Sequence, residues 1–377
     1  MGDGRVAEWQ TRRIQNPLSA RTCRFEPDLG YQVQQHALDR VAVVVNGNAR
    51  RVTDDLVQVL NQIVQSGDLY VSRDLDEAER IARTIVERNY PTVLTGGGDG
   101  TFVQMVTLIE RFSSQAEQPL PRFGLLKLGT GNALAWVLGN ESPRGKDAVA
   151  DLSRLRTEGG SRELRLLNVE GTLTPFAGLG VDAICLDHYN STKQALSRTA
   201  LTRPLSSGAP AYAISIVGRS LPEFLFRGHP RVRIVNEGAP AQRIGQDDRP
   251  EAQDIPEGGL LYEGPSRLVA MSTIPYWGLG ARIFPFAEER DDRFQLRVGD
   301  IHSLQVAGNI RSIWRGTYRA ENLHDFLVER IAIHFEDEMP LQIGGDAAGR
   351  HRTVRAKLAE TPIRVVDYYA PPDLAGH

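Results

Sequence analysis

The chain has 377 residues, a length that suits two domains better than one. Hydrophobic residues at 41% and charged residues at 24% exclude a wholly disordered chain, and a net charge of −3 gives no general attraction to nucleic acid. Two cysteines, Cys23 and Cys185, exclude a disulfide framework; no apolar run approaches the roughly 20 residues of a membrane span, and the first residues lack the apolar core of a signal peptide. The expectation is a cytoplasmic protein without a nucleic-acid partner, in which a membrane substrate approached from the surface stays open.

Residues 1–39 are polar and weakly patterned and read as a tail. From Arg40 the pattern changes. Val41–Val45 is a fully apolar, valine-rich run, as a buried parallel strand requires. Thr53, Asp54 and Asp55 then give a helix start, with apolar residues at helical spacing from Leu56 to Val64 and Gly67 as the stop. The cycle repeats: strand Leu69–Ser72, helix Leu75–Arg88, strand Thr92–Thr95, helix Gly100–Phe112, strand Phe123–Leu128, helix Asn132–Leu138. Such alternation predicts a parallel sheet with helices on both faces over residues 40–161.

Beyond Arg162 the runs become short and β-like: Glu163–Val169, Thr172–Leu179, Arg231–Val235, Leu268–Thr273, Phe294–Val298, Arg330–His334, Leu341–Ile343, Val354–Leu358 and Ile363–Val366. They predict an antiparallel β-sandwich over residues 162–366, interrupted by helices near Ala211–Phe226 and Leu304–Tyr318 and by a surface insertion at Gly238–Gly264. Residues 367–377 read as a tail that packs back on the first domain. The fold class is therefore α/β plus all-β, and a ligand of the parallel sheet belongs beyond the carboxyl ends of its strands, between the domains.

The segment Thr95-Gly-Gly-Gly-Asp-Gly-Thr101 joins a strand to a helix. Glycines let successive N–H groups converge on an anion, and the helix start adds partial positive charge. Asp99 would repel phosphate unless a cation or hydroxyl mediates; the alternative is a tight connection in which it caps the helix. Two further turns leave the same sheet edge: Asn46-Gly-Asn-Ala-Arg-Arg51 and Leu128-Gly-Thr-Gly-Asn132. Neither a Walker A loop nor the dinucleotide fingerprint is present.

Together, TGGGDGT and KLGTGNALA resemble the diacylglycerol kinase catalytic-domain family, which includes bacterial lipid kinases and sphingosine kinases, and the resemblance extends from Val41 to Val366. Phe176–Ala183, Tyr276–Gly280 and Phe284–Ala287 agree with it. The implied fold is a nucleotide-binding α/β domain of the diacylglycerol kinase and NAD kinase type, followed by a β-sandwich. The implied activity is transfer of the ATP γ-phosphate to a lipid hydroxyl, with diacylglycerol as the first acceptor, and a sphingoid base, another lipid alcohol or, more remotely, NAD as alternatives. A further alternative is a nucleotide-binding regulatory module without activity.

The resemblance puts Asn46, Gly47, Asn48, Ala49 and Arg50, then Ser72, then Gly96, Gly97, Gly98, Asp99, Gly100 and Thr101, then Gly129, Thr130 and Asn132 around ATP. It makes Asp346 the general base, with Asp99 beside it in the catalytic pair and near Mg²⁺. It puts a structural Mg²⁺ at Asp292, with Glu289 and Phe294. The departures are Asn-Gly-Asn-Ala-Arg for the first turn, Ala133 after Asn132, Arg293 beside Asp292, and Gly344 with Asp346 in place of Asp-Gly-Glu. A lipid acceptor implies a peripheral position at the inner membrane surface. Arg198–Arg233, with six arginines against Glu223 alone, and Arg311, Arg315 and Arg319 beside Trp314 and Tyr318 are the candidate docking faces. A homodimer is compatible with the sequence.

Overall fold

A computed structural model describes residues 40–49, 52–64, 68–128, 133–138, 160–180, 230–277 and 280–367. The first strand, β1 (Val41–Asn46), is the apolar run expected, and its four central residues are buried. Helix α1 (Asp54–Ile63) starts where the Leu56 amide donates to Thr53 Oγ1 at 3.3 Å. Strand β2 (Leu69–Ser72) leads into α2 (Leu75–Glu87), whose cap is reciprocal. The Glu77 amide donates to Asp74 Oδ1 at 2.7 Å, and the Arg73 amide donates back to Glu77 Oε2 at 2.7 Å. Strand β3 (Thr92–Gly97), helix α3 (Asp99–Gln115), strand β4 (Arg122–Lys127) and helix α4 (Ala133–Val137) complete the alternation.

The rest of the described chain is β-rich: β5 (Gly160–Leu164), β6 (Leu167–Val169), β7 (Thr172–Thr174), β8 (Phe176–Gly180), β9 (Arg231–Asn236), β10 (Gln242–Ile244), β11 (Leu260–Pro265), β12 (Leu268–Ser272), β13 (Phe294–Gly299), β14 (Leu323–Val328), β15 (Arg330–Ile343), β16 (Asp346–Leu358) and β17 (Ile363–Asp367). Two short helices, α5 (Ser303–Gly308) and α6 (Ile310–Arg315), lie between β13 and β14. The first sheet runs β2-β1-β3-β4-β17-β5, parallel from β2 through β17 with β5 antiparallel at the edge. The second is a large antiparallel sheet ordered β10-β14-β13-β12-β8-β15-β16-β6-β7, with β9 pairing both β11 and β15. The long β15 pairs β9 through residues 331–335 and β8 through residues 341–343.

Four expectations are corrected. Ile363–Val366, assigned to the second domain, forms β17 in the first sheet. Ile363 and Val365 enter the core on one face of that sheet and Val366 the core on the other, so the strand covers β4 and is itself buried on both faces. Glu163–Val169 is divided: β5 closes the first sheet and β6 opens the second, so the antiparallel domain is inserted between two strands of the parallel one. The surface insertion contributes β10 and β11, whose short alternating runs were hidden among its turn residues. The helix Leu304–Tyr318 breaks at Asn309 and ends at Gly316 in a left-handed conformation. The helix expected at Ala211–Phe226 and the two tails (1–39 and 368–377) lie outside the described residues.

Helix α3 belongs to both layers. Phe102, Met105, Val106 and Ile109 pack in the core of the parallel sheet, whereas Val103 packs in the core of the antiparallel sheet. Thr107 Oγ1 accepts from the Leu173 amide at 3.0 Å and tethers α3 to β7.

Within the antiparallel sheet, Arg297 and Asp325 form a bidentate pair at 2.8 and 2.9 Å with both side chains buried. Gln295 donates to the same carboxylate at 2.7 Å and accepts from the Phe286 amide at 2.8 Å, which pins the segment 283–286 to the sheet. Removing one partner leaves the other charge buried without compensation. Asp325→Asn is therefore expected to cost about 3 to 5 kcal/mol in denaturant unfolding, and a loss below about 1 kcal/mol would contradict this role.

Candidate active site

The carboxyl edge of the parallel sheet is built by its first three strands. The register pairs Asn46 with Ser72 and Val45 with Gly96, so the turns after β1, β2 and β3 leave at one level. Asn46–Ala49 is a β-turn closed by the Ala49 amide on the Asn46 carbonyl at 2.9 Å. It is tied to the next turn by Asn48 Nδ2 on the Arg73 carbonyl at 2.6 Å and by the Gly47 amide on the Ser72 carbonyl at 2.8 Å. Asn46 Nδ2 donates to Thr101 Oγ1 at 3.2 Å across to α3. Between these groups lies a cleft of about 240 Å³ whose lining includes Asn46, Asn48, Ser72, Arg73, Thr101 and Gln104.

Asp99 is the first residue of α3 and is only 8% exposed. Its Oδ2 accepts from the Ala133 amide at 2.9 Å and its Oδ1 from the Leu134 amide at 3.3 Å. The carboxylate thus caps α4, not its own helix, and joins the starts of α3 and α4. Burial pushes its pKa up to about 6, against the two amides that hold it down, with the charge of Asp346 adding to the rise.

Asp346 comes from the second domain. It follows the two-residue hairpin between β15 and β16, where Ile343 pairs with Asp346 and both Gly344 (φ 59°) and Gly345 (φ 88°) are left-handed, as a type I′ turn demands. Gly344 also approaches α3: a Cβ there would lie 2.5 Å from Val103 Cγ2. The family-like acid that Gly344 replaces would meet both obstacles. The hairpin lays Asp346 over the first turn of α3, so that a Cβ built on Gly100 would collide with its carboxylate. The carboxylate stands at the surface yet is walled by enough protein to raise its pKa above the ordinary range by desolvation.

The structure brings Asn46, Asn48, Ser72 and Thr101 to the cleft, Gly47 and Ala49 into its first turn, and Gly98, Asp99, Gly100 and Asp346 to the α3 start. Gly96 and Gly97 are strand residues instead, the last two of β3, and Gly96 sits between Val45 and Leu128. Arg50, Gly129, Thr130 and Asn132 lie outside the described residues. Arg73, Asp74 and Gln104 were missed; the capping pair Asp74 and Glu77 was the signal that could have placed the β2–α2 turn.

The metal assignment at Asp292, Glu289 and Phe294 is corrected. Asp292 Oδ1 and Oδ2 accept from Arg290 at 2.8 Å each, and Oδ2 also accepts from Arg293 at 2.8 Å. These hydrogen bonds and charges, Arg290 first, hold the Asp292 carboxyl below its ordinary pKa. Glu289 is exposed, and Phe294 is buried in β13. Two guanidiniums supply the positive charge expected from a cation, so the residues do not fit a structural Mg²⁺. Among the described residues no group of three or more His, Cys, Asp or Glu side chains is placed to hold a metal ion. The nucleotide site fares better: the cleft is lined by the Asn46, Asn48, Arg73, Thr101 and Gln104 side chains, which can donate to phosphate oxygens, with Asp74 as the one carboxylate in its lining.

A family model for the diacylglycerol kinase catalytic domain matches residues 40–168. The match lies in the first domain and covers about a third of the chain. Among solved structures, a chain titled as a diacylglycerol kinase from Bacillus anthracis str. Sterne is similar over 87% of this chain and 96% of its own, with 14% identity and a TM-score of 0.55. A second from the same organism covers the same shares with 15% identity and a TM-score of 0.56. These likenesses show the fold, a parallel α/β sheet joined to a large antiparallel one. No curated protein matches the sequence. The domain match supports a kinase-type phosphotransferase that binds a nucleotide.

Because the folded-state pKa of Asp99 lies above its unfolded value of 3.8, the folded protein binds the extra proton between these values. Stability from this group is present at low pH and is lost as pH rises through about 6. Wild type should thus gain about 1 kcal/mol over Asp99→Asn between pH 7 and pH 5 in chemical denaturation. A pH-independent difference would contradict the burial of an ionisable carboxylate there.

Proposed function

We propose that the protein is a lipid kinase that transfers the γ-phosphate of ATP to a lipid hydroxyl, with diacylglycerol as acceptor and phosphatidic acid as product. The observation that carries this reading is Asp346, delivered from the second domain onto the first turn of α3 beside the cleft of Asn46, Ser72 and Thr101.

In this reading the α3 start, Thr101 and the turns after β1 and β2 hold the phosphates. Phosphoryl transfer asks mostly for position and neutralised charge. The bond from the γ-phosphorus to the β-bridging oxygen breaks, a bond to the acceptor oxygen forms, and the hydroxyl proton passes to Asp346. Desolvation makes that carboxylate a stronger base than a solvated one. Asp99, with both oxygens on α4 amides, is a positioning residue that fixes the start of α4 against the start of α3. Magnesium bound with ATP would neutralise the triphosphate charge, and Asp346, which accepts no backbone amide among the described residues, is the carboxylate that would help hold it.

The test is labelled ATP offered with diacylglycerol, a sphingoid base or NAD. Label is expected in phosphatidic acid, and Asp346→Asn should lower turnover about a hundred- to ten-thousandfold with nucleotide binding intact. Activity should fall as the medium is acidified through the raised pKa of Asp346. Label in another acceptor alone would overturn the substrate, and nucleotide binding without transfer to any acceptor would favour a regulatory module.

A further inference from the structure

Outside the cleft, the two short helices α5 and α6 expose apolar side chains. Val306, Ile310 and Trp314 recur every four residues and are 37%, 51% and 44% exposed. Arg311 and Arg315 lie among them, both exposed, and neither forms an ion pair among the described residues. Residues 303–319 contain three arginines and no acid. The third, Arg319, does not share this face: it pairs with Asp248, donates to the Gly316 and Tyr318 carbonyls, and covers the Phe286 ring at 4.9 Å. Tyr318 is buried. The sequence-level stripe Arg311–Arg315–Arg319 is thus corrected to a face of two free cations and three exposed apolar groups. The other docking candidate, Arg198–Arg233, lies outside the described residues except for Arg231 and Arg233, which pair with Glu336 and Glu263.

We infer that the α5–α6 face docks on an anionic lipid surface. Tryptophan and aliphatic side chains partition into the headgroup boundary, and arginines beside them are drawn to anionic headgroups. A symmetric contact with a second copy would set Arg311 and Arg315 against their own equivalents with no acid in the segment to balance them. The face is also joined to the candidate site. The Arg282 amide donates to the Trp314 carbonyl at 2.9 Å, and the same segment carries Tyr276, whose ring lies 6.3 Å from that of Trp136 on α4, the helix that Asp99 caps. Docking here would hold a lipid surface on a face that these contacts link to α4. The inference extends the lipid-acceptor reading, but its test needs no turnover.

The full chain is sedimented with vesicles of mixed phosphatidylglycerol and phosphatidylcholine, or of phosphatidylcholine alone. Wild type should bind the anionic vesicles and only weakly the neutral ones. The double variant R311Q/R315Q should bind the anionic vesicles about thirtyfold more weakly, and I310S/W314S should lose binding to both. Equal binding to the two compositions, or no effect of either variant, overturns the inference. So does a concentration-dependent dimer that I310S/W314S abolishes. Phosphoryl transfer to a short-chain, water-soluble acceptor should be unchanged in both variants, which separates failure here from failure of the kinase reading.

Discussion

A buried carboxylate between the starts of α3 and α4 is the constraint on which the site depends. Asp99 is taken out of water by the fold, and two backbone amides from α4 offset part of the cost of its charge. The penalty is retained because the same atoms fix where α4 starts relative to α3. A capping residue on α3 itself would leave α4 to find its place by apolar packing alone. With Asp99 bridging the helices, α3 and α4 begin at positions set by hydrogen-bond geometry.

Helix α3 extends that constraint into the second domain. Gly100 leaves the space that the Asp346 carboxylate occupies, Val103 enters the antiparallel core, and Thr107 bonds β7. Three successive helical positions on one side, spaced by three and four residues, therefore dock one domain on the other. Because β5 and β17 belong to the parallel sheet while β6–β16 form the antiparallel one, the second domain is attached at both ends. That double attachment limits the ways in which the hairpin bearing Asp346 can move away from α3.

Much of the first domain was legible because parallel strands buried on both faces read as apolar runs, and the helices between them carry capping signals such as Thr53 and Asp74. The residues of the first turn and Asp346 were found through glycine spacing and family likeness. What the sequence hid was long-range pairing. Ile363–Val366 looks like any sandwich strand, and nothing local shows that its partners in β4 and β5 lie some 240 and 200 residues earlier. The polar stretch between His334 and Leu341 read as a break, yet β15 runs through it with Glu336, Asp337 and Glu338 facing solvent. At Asp292 the neighbouring Arg293 was visible as a departure, but the bidentate grip of Arg290 required the turn to fold.

The central claim is that Asp346 works from a position directly over Gly100. Replacing Gly100 by alanine adds one methyl group where that carboxylate stands, at a helix position that alanine accommodates without backbone strain. Nucleotide affinity by calorimetry, unfolding stability and phosphoryl transfer are measured together on this variant. A glycine at the α3 start offers phosphate only its backbone amide, which alanine keeps, so the predicted result is preserved stability and nucleotide binding with transfer reduced by at least about a hundredfold. Transfer at the wild-type rate would contradict the claim that the two domains meet there to do chemistry.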